Sequence, residues 1–167
     1  MDTILGSGTS KWRAMDWPAA AVSGFAAGAV LMVLDLVWST LFNPEGPWRT
    51  SHMIAPIFTG VESANATAFS LSVVAIALAT HYALGIIFGL IMAALLVQFK
   101  LDAEPGRAMA AGVIMGLLLY IINFHLLVGF FPWLTSLRGV PTLAAHIVFG
   151  IVAALLYCRL KRTASER

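Results

Sequence analysis

A chain of 167 residues that is 60% hydrophobic and only 11% charged cannot cover a water-facing surface, since soluble domains average about 25% charged residues. Its net charge of +2 comes from few and scattered basic residues, which excludes a nucleic-acid surface and makes the lipid bilayer the natural solvent. The single Cys158 excludes an internal disulfide and a cysteine-rich metal site.

Residues 1–16 are polar and Gly/Ser-rich and read as a short leader. The apolar run from Trp17 to Phe42 is longer than a signal-peptide core, and no small-residue cleavage site follows it. The sequence therefore predicts a retained first span, with Pro18 tolerated in its first turn. The span stops at Asn43-Pro44-Glu45-Gly46-Pro47, a turn sequence. An insert over 44–66 follows. Its part from Ser51 to Asn65 mixes polarity around His52, Pro56, Gly60 and Glu62, so an interfacial or re-entrant segment is expected. No formally charged residue lies between Glu62 and Lys100, more than the ~20 residues a span needs, so the second helix is long or tilted. A charged turn over 100–107 leads to a third span from Ala108 to Phe131, stopped by Pro132-Trp133, with no clear break within it. The fourth span runs from Thr142 to Cys158, and 159–167 form a basic tail.

Basic residues outside the spans set the orientation. Of the 10 Lys and Arg, Lys11, Arg13, Lys100, Arg107, Arg159, Lys161, Arg162 and Arg167 fall on one side, and only Arg49 and Arg138 on the other. Both termini are therefore expected in the cytoplasm, in an all-α integral membrane protein of four transmembrane helices.

The helices also repeat. Gly24, Gly28, Asp35, Phe42 and Pro44 of the first match Gly112, Gly116, Asn123, Phe130 and Pro132 of the third. On a helix their spacings return to within about 40°, so each set forms one stripe. In the second and fourth helices, His81, Gly85 and Met92 correspond to His146, Gly150 and Tyr157. Small-residue stripes let helices approach closely in lipid. The sequence thus predicts a parallel duplication of one hairpin, 17–99 and 108–158, about a pseudo-two-fold axis along the membrane normal.

This order of parts, with His81, Gly112, His125, Pro132 and His146 as its marks, resembles the small bacterial inner-membrane proteins of the YagU type and related uncharacterised four-helix families. The resemblance implies a four-helix fold and a bacterial inner-membrane location. It implies no chemistry.

With the termini inside, His52, His81, His125 and His146 all fall in the outer leaflet. Asp35 is the one formally charged residue within a span, at roughly 2.5–3.5 kcal/mol on insertion scales. Either it is a neutral clasp bonded to Asn123, or it serves a proton or cation site, or it ligates a metal. His81 and His146, at equivalent depths, are either satisfied by neighbouring carbonyls or hydroxyls, or form a pair that would suit haem b, copper or zinc, with Asp35 as third ligand or orienting partner. His125 lies about 200° around the helix from Asn123 and points off the stripe, toward the outer loop and His52 or toward a partner subunit. His52-Met53 offers soft donors for copper. No nucleophile with a base and no phosphate loop can be read from the chain, so a catalytic role is not expected.

Three functions remain open on these grounds: an accessory or binding subunit of a larger membrane complex or homo-oligomer, a metal- or haem-holding protein, and a small proton- or ion-coupled transporter using Asp35.

Overall fold

The computed structural model describes residues 15–60 and 68–162. Most of the leader, the remainder of the insert (61–67) and the end of the tail lie outside the described residues.

Helix α1, Trp17–Phe42, starts where Asp16 accepts the Ala19 amide at 3.2 Å, with Pro18 in the first turn. It stops because Pro44 forces Asn43 into extended backbone, and the Asn43 side chain then accepts the Glu45 amide at 3.0 Å to form the turn. Two short helices, α2 (Arg49–Ile54) and α3 (Pro56–Thr59), occupy the insert. Helix α4, Leu71–Gln98, has 28 residues and is about 42 Å long, well beyond the ~30 Å hydrocarbon core. Lys100, at φ 55°, takes the left-handed conformation that ends it. After a short turn over Leu101–Ala103, α5 begins at Pro105 and runs as α-helix to Ile121. Helix α6, Val140–Leu160, is the last element.

Four helical stretches, Trp17–Phe42, Leu71–Gln98, Pro105–Gly129 and Val140–Leu160, are long and apolar enough to cross a membrane. Large apolar side chains such as Leu41, Phe69 and Phe130 point outward from them, as lipid contact requires. The chain is a multi-pass, all-helical membrane protein.

The third span differs from the uninterrupted helix expected from the sequence. At Ile122–Leu126 it widens into a π turn, followed by a tight 3₁₀ turn over Leu127–Gly129 and a 3₁₀ segment, Pro132–Leu137. The expected stripes hold for their glycines and fail at their ends. Met92 and Tyr157 are fully buried beside the glycines of their helices, whereas Phe42 and Phe130 are exposed. Phe42 sits in the last turn of α1, and Phe130 lies past the π turn, where the α-helical register no longer applies.

Glycine sets the packing within each hairpin. A Cβ on Gly24 would strike the Gly85 carbonyl and Gly89 of α4, and one on Gly112 would strike the Gly150 carbonyl of α6. A Cβ on Gly116 would strike the His146 carbonyl, while the matching position Gly28 keeps ordinary clearance, 3.6 Å from the His81 carbonyl. Between the hairpins, α1 packs along α6 and α4 barely touches α5. A strict two-fold axis would make those two contacts equal, so the arrangement departs from the expected symmetry.

Candidate functional site

The two ends of the bundle are built differently. At the end carrying the described termini, Asp16 accepts hydrogen bonds from the Arg162 backbone amide at 2.9 Å and from the Arg162 guanidinium at 3.0 Å. The Arg162 contacts hold the Asp16 carboxyl well below the usual carboxylate range. Fully buried Tyr157 accepts the Asp16 amide, and Lys161 pairs with Asp102 of the turn between α4 and α5.

Toward the other end the helices part around a cavity of about 620 Å³, to which all four spans contribute. Its walls are mostly apolar, including Leu31, Leu84, Phe88, Val148 and Phe149. The cover comes from the loops, through Thr50, Ile54 and Ile57 on one side and Leu134 and Leu137 on the other. These loops are tied together, since the Trp133 indole donates to the Met53 carbonyl at 3.0 Å and Ser136 donates to the Met53 sulfur.

Seven polar side chains line the hollow: Asp35, Thr50, Thr80, His81, Asn123, Thr142 and His146. Thr50 donates its hydroxyl to Asp35 Oδ1 at 3.0 Å. The two histidines share one geometry. His81 Nδ1 lies 3.1 Å from the Ala77 carbonyl and His146 Nδ1 lies 2.8 Å from the Thr142 carbonyl, each one helical turn back. A carbonyl oxygen only accepts, so each Nδ1 carries the proton and each neutral ring keeps its acceptor on Nε2. The Asn123 amide approaches His146 Nε2 at 3.4 Å, a long contact, while His81 Nε2 has no hydrogen-bond partner among the described residues.

The π turn places Asn123 and Phe124 at the cavity wall. It also turns the Phe124 carbonyl away from the helical ladder, and Arg138 donates to it at 2.6 Å, a cation at the carbonyl end of a helix. The Tyr120 hydroxyl accepts the Gly139 amide, and the rings of Tyr120 and Phe124 meet His146 edge-on. The imidazole of α6 is thus held by aromatic edges from α5.

The cavity brings together Asp35, His81, Asn123 and His146, as their positions in the sequence predict. The expected Asp35–Asn123 clasp is not formed: Asp35 takes Thr50 and Asn123 takes His146. Nor do His81, His146 and Asp35 assemble as a ligand set, since no three His, Cys, Asp or Glu among the described residues are grouped to hold a metal ion. His52 and His125 stand apart. Buried His52 donates Nε2–H to the Ala68 carbonyl at 2.8 Å, and its neighbour Met53 is buried under the second loop. His125 faces outward against the Tyr120 ring and does not meet His52. Thr50, Thr80 and Thr142 join the site without having been anticipated. Two of them carried a signal, since Thr80 directly precedes His81 and Thr142 lies one helical turn before His146.

Compared with family models, with curated proteins and with solved structures, the chain matches none.

Proposed function

We propose that this chain is a non-catalytic, membrane-embedded binding subunit whose working site is the cavity between its hairpins. One observation carries the reading: a hollow of about 620 Å³ with apolar walls and a few convergent polar groups, the usual form of a small-molecule site. The Lys and Arg bias favours a cytoplasmic location for both termini, and together with the YagU-type resemblance it favours a bacterial inner membrane. The two hairpins are read as copies of one ancestor, because Gly24 meets Gly85 as Gly112 meets Gly150 and both histidines bond one turn back. The apolar exterior suits lateral association with other membrane subunits.

Native mass spectrometry in mild detergent tests the binding role. The wild type should carry a small molecule, and Ala144→Trp, a substitution at an exposed residue on the cavity edge, should lose it. An absorbance spectrum of the same sample would reveal haem on the histidines. Wild type without any retained molecule, and indistinguishable from the variant, removes the reading.

A second reading, a small ion-coupled transporter, has one observation in its favour: the intramembrane carboxylate of Asp35 faces this cavity. It requires that Asp35→Asn abolish ion-driven flux in proteoliposomes with the fold intact; unchanged flux removes it.

A further inference from the structure

The polar groups of the cavity are unequal in what they still offer. Donors are largely engaged: Thr50 hydroxyl to Asp35, Thr80 hydroxyl to the Ile76 carbonyl, and both imidazole N–H groups to their own helices. What remains is mainly acceptor capacity. Asp35 Oδ2 and His81 Nε2 have no donor among the described residues, and Asn123 has its side-chain carbonyl left over.

Charge points the same way. Asp35 is the one Asp or Glu in the wall, and no Lys or Arg lines it. The nearest guanidiniums are engaged elsewhere, Arg49 with Glu45 and Arg138 with the Phe124 carbonyl. The four spans alternate in direction, so their helix dipoles oppose one another at this end and do not offset the carboxylate. Aromatic faces complete the set, with Trp38 on the exposed edge and Phe88, Phe124 and Phe149 deeper, surfaces that attract an organic cation.

We infer that the cavity takes a lipophilic organic cation, a protonated amine on an apolar body, with its ammonium between Asp35 and His81 and its body against the aromatic wall. This deepens the binding role proposed above and rests on it. The ammonium supplies donors where the wall has acceptors, and its charge removes the desolvation penalty of Asp35. The apolar walls take up the body, which would reach the mouth from the bilayer past Leu34 and Trp38, half-exposed residues of α1 that line the hollow.

The test uses three probes of one shape, 1-naphthylmethylamine, 1-naphthalenemethanol and 1-naphthoate, titrated calorimetrically into the full chain in zwitterionic lipid nanodiscs at pH 7. The amine should bind at least tenfold tighter than the alcohol, and the carboxylate should not bind. Asp35→Asn, which keeps a partner for Thr50, should bring amine and alcohol within about threefold of each other while alcohol binding persists. Ala144→Trp should bind none of the three. If amine, alcohol and carboxylate bind alike, or if Asp35→Asn leaves the preference intact, the cation assignment is overturned and the cavity reading stands. If nothing binds the wild type, or Ala144→Trp binds as well as wild type, both are overturned.

Discussion

The end of the bundle that carries the termini and the end that carries the loops use polar residues in opposite ways. At the first, Asp16, Arg162, Lys161 and Asp102 satisfy one another, and Tyr157 fills the space between α6 and α1. At the second, Asp35, His81, Asn123 and His146 each have a partner on one side and a hollow on the other. Closed polar networks fix a structure, whereas half-engaged groups around a cavity are where binding chemistry sits. The first hairpin makes the transition visible. Its helices touch backbone to backbone at Gly24 and Gly85 and have ordinary clearance by Gly28, where the cavity begins.

The sharpest way to break this contrast is to remove one large side chain from each end. Tyr157→Ala empties a fully buried site and should cost about 3 kcal/mol in reversible detergent unfolding. Phe88→Ala enlarges a space that already exists and should cost less than about 1 kcal/mol. Equal losses would mean that the ends are packed alike.

A smaller effect separates the hairpins. Gly116→Ala forces a methyl into the His146 backbone and should destabilise by about 2 kcal/mol. At the matching position, Gly28→Ala finds its neighbours at 3.6 and 3.7 Å and should stay within about 0.5 kcal/mol of wild type. Similar penalties at the two sites would show that α1 and α4 do not part where the structure has them part.

The least effect, about 1 kcal/mol, is expected from Asp16→Asn, because its partner Arg162 is half exposed. Its pH dependence sharpens the comparison. The Asp16 carboxyl is held below its ordinary value of 3.8, so it stabilises the fold above that value and ceases to do so as the pH falls through its lower native one. The stability gap between wild type and Asp16→Asn should be flat from about pH 8 to 5 and shrink below about pH 4. A gap that closes between pH 8 and 6 would assign the contribution to another group.

The spans were legible because length and hydropathy decide them. Trp17 to Phe42 is read identically in sequence and structure, and Pro44 explains why. The glycines and histidines were legible as faces, since helical periodicity tells which residues lie together on one helix. It does not tell how far two helices diverge. Thr50 could not be connected to Asp35, because the turn between them decides where α2 comes down. The Asp16–Arg162 contact joins opposite ends of the chain, and only part of it was written locally: an aspartate two residues before a proline marks a helix start, but not its distant guanidinium. The widening at Ile122–Leu126 has no proline or glycine within it, and its cause lies in the Arg138 and Tyr120 contacts made after folding.

That widened turn makes the site sensitive to chain length. A π turn accommodates one residue more than the α-helical turn it replaces. Deleting a single residue between Ile122 and Leu126 would let the third span close into regular helix, and everything beyond the cut would swing by about 100°. Phe130 would rotate to a different face of the bundle, and the Phe124 carbonyl would return to its own ladder and release Arg138. Counting residues, as well as choosing them, is therefore part of how this wall is specified.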